Sequence, residues 1–439
     1  MSNFSALTPS PPSPPLNDKR TMNGWAFFDC ANSSYSLVIS SAVFPAYFAA
    51  TAPEIIPFLG MEMPSSAVLA YAVTIAYLVI ALSSPILSGI ADYGGKRKLF
   101  MTTFTVIGAL ACIAMFWMVG RAHWQIGFWG YVVATIGYAG GIVFNNSYLP
   151  IIATEDRFDW LSARGYTFGY IGSVFLLLVN LAMIIFYQEL GFPDKSIPTR
   201  IAFLMVGIWW LSFAQIPRLR LPDDSTTPLS MSAISSGWAE FKGVLAVVKA
   251  NINLKNYLLA FFFFDAGVQC VLFMATIFAA KVLNFETTEL ITVVLILQVV
   301  AALGAWLFAK ISAQKGNLWA IMVMLIVWIG ICLGAYLVSS KTQFYLLGVV
   351  LGAVMGGIQS LSRSTYSKLI PEDTEDVTSF FSFFDITDKV AVVVGTFAFG
   401  FIDQLTGDIR NSTLALMLFF IAGLIMIRKV RMPQKALNQ

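Results

Sequence analysis

Long apolar runs alternate with short polar turns along almost the whole chain, from Trp25 to Ile427. Twelve runs are long enough to cross about 30 Å of hydrocarbon at about 1.5 Å per residue. They cover residues 24–50, 66–90, 99–119, 125–151, 165–188 and 200–216, then 257–283, 289–309, 318–338, 342–366, 377–404 and 411–427. The pattern predicts an all-α integral membrane protein of twelve transmembrane helices. The gap between the sixth and seventh runs is the one long polar stretch inside the chain. Its segment PDDSTTPLSMSAISSG reads as linker, and Trp238 to Lys249 reads as an amphipathic helix lying on the membrane surface. The expected organisation is a Pro-rich disordered tail (1–22), a six-helix bundle (23–216), a linker (217–256), a second six-helix bundle (257–427) and a short tail (428–439).

One apolar run is chemically odd. FFSFFDITDKVAVVVG, Phe380 to Gly395, carries Asp385, Asp388 and Lys389 on one helical face. Each charge near a bilayer centre costs roughly 2.5–3.5 kcal/mol, so this face must look into the bundle or a wet cavity. A structural ion pair between Asp385 and Lys389 at i,i+4 is one reading. It leaves Asp388 over, and that surplus makes the run a functional-site candidate.

Composition agrees with the pattern. The 439 residues are 58% hydrophobic and 12% charged, against roughly 25% charged in soluble domains, which argues against a soluble enzyme. The first twenty residues, with SPPSPP followed by Asp18, Lys19 and Arg20, lack the apolar core of a signal peptide. Cys30, Cys112, Cys270 and Cys332 all lie in apolar segments, spaced for packing and not for metal or disulfide. A single histidine, His123, leaves no His-based metal site or relay. No cofactor, no metal, no nucleic-acid partner and a monomeric state are expected.

Charge placement sets orientation. Of 27 Lys and Arg, 20 fall in the loops or tails on the side of the N-terminus. Six (Arg121, Lys195, Arg200, Lys281, Lys341 and Arg410) fall on the other, and Lys389 lies mid-span. Basic residues collect on the cytosolic side, so both termini are expected there, in the inner or plasma membrane if the source is bacterial.

The halves repeat. Phe27-Phe28-Asp29 in span 1 returns as Phe263-Phe264-Asp265 in span 7. Gly140-Gly141 through Tyr148 returns as Gly356-Gly357 through Tyr366. Two six-span units in the same orientation form a parallel repeat, the plan of major facilitator transporters. The loop SGIADYGGKRK resembles that superfamily's signature: Asp92, Gly95, Lys96 and Arg97 match, whereas Ser88 replaces its first glycine and Tyr93 a basic residue. An acid facing a basic cluster across helix ends can form a breakable cytosolic latch. The second-half loop AKISAQKGNLW lacks the acid. GWAFFDCANSSY, NNSYLPIIA, RGYTFGYIG, GGIQSLSRS and FFSFFDITDK resemble, in register, the branch containing the autophagy-related vacuolar amino-acid effluxer of fungi and its bacterial relatives. The resemblance implies secondary transport of a small solute, with amino acids a favoured class.

Span 1 carries a polar stripe of Asp29, Asn32, Ser33, Ser36 and Ser40, with Tyr35 beside it. The serines suit helix packing; Asp29 needs a partner or a proton. Asp265, with Gln269 at i+4, repeats the case, and the two acids read as paired gate or proton sites. Span 10 ends with Gln359 and Arg363; this arginine either snorkels to the headgroups, pairs with Asp265 or Asp385, or grips a substrate carboxylate. Asn145, Asn146 and Tyr148 occupy the related place in span 4. Asp29, Asp265, Asp385 and Asp388 outnumber Arg363 and Lys389 by two, so two acids must be protonated or solvated. Proton-linked transport with Asp388 or Asp29 as the first candidates follows as an expectation. A substrate-sensing receptor or passive facilitator on the same fold is the alternative; an enzyme is disfavoured by the absence of a nucleophile motif or metal cluster.

Overall fold

Span 1 is a continuous helical path in three pieces: α1 (Lys19–Ser34), a π-helical stretch (Tyr35–Val43) and α2 (Phe44–Thr51). Asp18 caps its start by accepting the Thr21 hydroxyl (2.8 Å) and N–H (2.7 Å), bonds that hold its carboxyl below the ordinary range. The structure, a computed structural model, describes residues 15–433 apart from residues 59, 225–230, 372, 373 and 375. Most of the predicted Pro-rich tail, the middle of the linker and the last six residues lie outside the described part.

A short antiparallel hairpin follows, β1 (Ile55–Phe58) and β2 (Met61–Pro64), with Ile56 opposite Met63. Hydropathy reads this segment only as a loop. The remaining first-half helices are α3 (Ser65–Gly94), α4 (Arg97–Ala114), α5 (Trp124–Ser147), the one-turn α6 (Leu149–Ile152), α7 (Glu155–Ile185) and α8 (Ser196–Arg220). The connecting helix is α9 (Met231–Ala250). The second half comprises α10 (Ile252–Leu283), α11 (Thr287–Lys315), α12 (Asn317–Leu337), α13 (Lys341–Leu369), α14 (Val377–Thr406) and α15 (Ile409–Ile427).

Nine helices among the described residues are long and apolar enough to cross a membrane; α10, bent by 47° between Leu272 and Met274, makes ten. The two other predicted spans are helical but unusual. The first is interrupted by its π-helical stretch, and α14 carries four charges, Asp385, Asp388, Lys389 and Asp403. One buried cluster gathers α10–α15 around Tyr257, Trp328 and Tyr366. Two others gather the first half around Trp25, Phe128 and Trp210.

The connecting segment differs from its expected form. Helix α9 starts at Met231, seven residues before Trp238, and packs along α3. Val244 and Val248, one turn apart, are buried, and Phe241 stacks on Phe383 of α14 at 4.7 Å. Its apolar face therefore meets protein instead of headgroups. Upstream, Asp224 caps α4 by accepting the N–H of Lys98 (2.8 Å) and Leu99 (2.7 Å); burial pushes its carboxyl above the ordinary range.

Glycines set the tightest helix contacts. A Cβ at Gly304 would run into the backbone of Ala353, and one at Gly356 into that of Ala301, so α11 and α13 touch backbone to backbone. A Cβ at Gly348 meets open space. Overpacking costs about 1–3 kcal/mol. Gly356→Val is therefore expected to lower the thermal unfolding midpoint of the detergent-purified protein by several degrees, whereas Gly348→Ala does not lower it.

Candidate functional site at the seam between the halves

The first and last described segments lie at helix starts on one side of the bundle: Asn17 bonds Thr154 at the start of α7, and the Arg431 N–H reaches Asn253 at the start of α10. The halves are sealed on this side by three polar knots. The first is built on α7, whose Gly165, Gly169 and Gly172 lie against α1. A Cβ at Gly169 would meet Ser33 Oγ at 2.6 Å, and one at Gly165 would strike the Asp29 carboxylate. This spacing explains physically why RGYTFGYIG accompanies FFDCANSS. Into the gap comes Arg363 of α13, 3% exposed. It donates through Nη2 to Asp29 Oδ2 (2.9 Å) and Ser162 O (2.9 Å), through Nε to Ser162 Oγ (2.9 Å) and through Nη1 to Asn146 Oδ1 (3.2 Å). Its guanidinium carbon lies 4.6 Å from the Trp25 ring centroid and 4.4 Å from that of Tyr166, both within cation–π range.

The second knot centres on buried Asp159 of α7. Lys368 Nζ (2.8 Å), Ser312 Oγ (2.8 Å) and Asn317 Nδ2 (2.7 Å) all donate to it from the other half. The third is the superfamily-like loop. Asp92 pairs with Arg97 (2.8 Å) and also accepts the N–H of Thr378 (3.2 Å) and Ser379 (2.7 Å) at the first turn of α14. A carboxylate at a helix N-terminus is favoured by the exposed N–H groups and the dipole. Gly95 closes α3 at φ +60°, a conformation that suits glycine.

Deeper in the seam is a partly open cavity, lined by Tyr166 of α7, Phe261, Phe264, Asp265 and Gln269 of α10, Gln359 and Ser362 of α13, and Phe384 and Asp388 of α14, with Ile358. Gln269 Nε2 bridges Asp265 Oδ1 (3.4 Å) and Asp388 Oδ1 (3.3 Å), which brings the two carboxyls together on one amide. Lys389 Nζ contacts Asp388 Oδ2 (2.5 Å) and Asp385 Oδ1 (3.3 Å). Asp265 Oδ2 is buried with no donor. Gln359 accepts the Tyr170 hydroxyl.

Residues 17–439 match the family described as vacuole effluxer Atg22 like. The chain belongs to that family. It is 29% identical over 408 residues to the uncharacterized MFS-type transporter YxiO of Bacillus subtilis, covering 92% of this chain and 93% of that one. It is 25% identical over 410 residues to autophagy-related protein 22 of Saccharomyces cerevisiae, covering 80% and 75%. Among solved structures, the fold is similar to the Escherichia coli fucose:proton symporter FucP (TM-score 0.68, 14% identity, 94% and 98% coverage). It is likewise similar to the human organic anion transporter MFSD10 (TM-score 0.69, 10% identity, 94% and 100% coverage). The chain is thus a multi-pass membrane transporter of the major facilitator superfamily and not an enzyme.

In this member of the family the predicted residues divide into groups. Asp265, Gln269, Gln359 and Asp388 line the cavity, with Asp385 and Lys389 behind Asp388. Arg363 joins neither Asp265 nor Asp385. It pairs with Asp29 of α1 and bonds Ser162 of α7, while Lys389, one turn after Asp385 on α14, already serves that acid. Asn146 belongs to the Arg363 knot, whereas the buried Asn145 side chain has no protein partner and only its carbonyl accepts Trp25 Nε1 (2.7 Å). Asn32 is buried with Oδ1 lacking a donor. Tyr35 and Tyr148 sit in packing cores outside the cavity; the Tyr35 hydroxyl bonds Thr135 Oγ1 (2.6 Å). Lys96 is at the α4 cap. Asp159 and Lys368 escape sequence reasoning because α7 begins ten residues before the apolar run does; the amphipathic spacing of Asp159, Ser162 and Tyr166 was the available signal.

Removing one partner of a buried ion pair costs about 3–5 kcal/mol. Arg363→Gln should open the terminal side, increasing thiol labelling of a cysteine placed at Ser362 from that side. Asp29→Asn added to Arg363→Gln should recover part of the lost thermal stability. Gly165→Ala, which drives a methyl into the pair, should increase labelling without removing any charge.

Proposed function

We propose that the chain is a proton-coupled secondary transporter that carries a small metabolite, amino acids being the favoured class, by alternating access of its two halves. The favoured direction is efflux from the cytosol, with both termini cytosolic and the monomer as the working unit. The observation that carries this reading is the charge balance around the cavity. Three carboxyls, those of Asp265, Asp385 and Asp388, gather beside one ammonium, that of Lys389, which contacts only the last two. Two carboxyls bridged by one amide do not both stay ionised cheaply, and among the described residues Asp265 Oδ2 has no donor.

The geometry supports Asp265 over Asp388 and Asp29, the first candidates from sequence, as the proton site of this reading. Asp29 is held by Arg363, and Asp388 by Lys389 and Gln269. Asp265, with Asp388 as its neighbour, is the acid whose proton can be exchanged as the seam opens and closes. The knots on the terminal side supply a gate, since each joins one half to the other through bonds that break and reform. The names of relatives agree in kind: a vacuole effluxer in the matching family and a proton symporter among the similar folds.

In proteoliposomes, Asp265→Asn should abolish amino-acid accumulation driven by a pH gradient while retaining exchange of labelled solute at equal pH. Gradient-driven accumulation that survives this substitution removes proton coupling through Asp265. Binding without exchange identifies a receptor, and flux without exchange acceleration identifies a passive facilitator.

A further inference from the structure

We infer that the cavity recognises its ligand by a protonated amino group and does not require a carboxylate on it. The inference rests on the reading of this cavity as the cargo site and narrows the cargo by chemistry.

Three observations converge. The lining contains two carboxyls and, among its described residues, no basic side chain. Asp265 Oδ2 is an unused, buried acceptor, which a hydrogen-bond donor bearing positive charge satisfies better than a neutral one. The opposing surface is aromatic: Phe261 stacks on Phe384 with centroids 4.1 Å apart, meets Phe264 edge-on at 5.5 Å, and Tyr166 completes the lining. Ring faces attract a desolvated cation and repel an anion.

The cations nearby are already engaged. Arg363 makes four hydrogen bonds to the other half and lies against two rings. Lys389 contacts both Asp385 and Asp388. A ligand carboxylate entering the cavity therefore meets acids and rings, with its nearest cations committed elsewhere. An ammonium meets the carboxyls of Asp265 and Asp388 and the side chain of Gln269, beside the aromatic lining. The aromatic lining also favours an apolar body on the amine.

Three probes separate the contributions in the full-length purified protein: phenethylamine, phenylalanine and 3-phenylpropanoate. Thermal-shift titration and calorimetry should show binding of phenethylamine and phenylalanine, with 3-phenylpropanoate weaker by at least about tenfold, the loss expected for one charge-assisted contact. Asp265→Asn should weaken phenethylamine by a similar factor. Equal binding of 3-phenylpropanoate, absence of phenethylamine binding, or an unchanged affinity in Asp265→Asn each overturns the inference. The wild-type ligand series decides the matter even if the variant folds poorly. Phenylalanine exchange in proteoliposomes without phenethylamine binding defeats this inference and leaves the transport reading standing. Asp265-dependent phenethylamine binding with no exchange of either amine defeats the transport reading instead.

Discussion

Burying ionised side chains in an apolar slab is the constraint on which the rest of this molecule depends. The chain does so mainly where its two halves meet. Asp29, Asp159 and Asp92 of the first half each accept hydrogen bonds from the second half. Asp265, Asp385, Asp388 and Lys389 gather on two second-half helices beside the cavity. Charges that would be prohibitive against lipid become affordable only while the seam supplies partners. The same requirement that keeps them inside therefore links their bonding state to the relative position of the halves.

The knots are not equivalent. Arg363 brings a planar fork held between two rings, and its four hydrogen bonds reach three first-half residues, Asp29, Asn146 and Ser162. Asp159 gathers an ammonium, an amide and a hydroxyl around one carboxylate. Asp92 uses backbone N–H groups at a helix start. All three depend on a first-half acid, but the third takes its cross-seam donors from backbone N–H groups and so tolerates changes in the second-half side chains around it. Chemistry in the cavity is different again: the acids there are under-compensated, which suits groups that exchange partners during a cycle.

Much of this was legible in the chain before any coordinates. Apolar run length placed the helices, and the repeat of FFD announced that Asp29 and Asp265 are related positions. The surplus of acids could be counted, and the i,i+4 contact of Asp385 with Lys389 follows from spacing alone. What spacing cannot supply is the partner across the seam. Arg363 sits 334 residues from Asp29 in the chain, and nothing in local periodicity distinguishes that acid from Asp265 or Asp385 as its mate. Hydropathy also stops where a helix turns polar, so the first ten residues of α7, Asp159 among them, fall outside the predicted run. For the same reason α9 looked like a surface helix, since one apolar face fits a neighbouring helix as well as a membrane.

Between α9 and α10 stands one residue, Asn251, whose side chain caps α10 through the N–H groups of Asn253 and Leu254. Consecutive Cα atoms are about 3.8 Å apart, so α9 has almost no slack with respect to the second half, yet it lies against α3 of the first. Any movement that parts α3 from α10 must peel α9 from one of them and wet Val244 or Val248. The connector is thus a short leash with a greasy pad, and its grip adds to the resistance that the terminal face offers to opening.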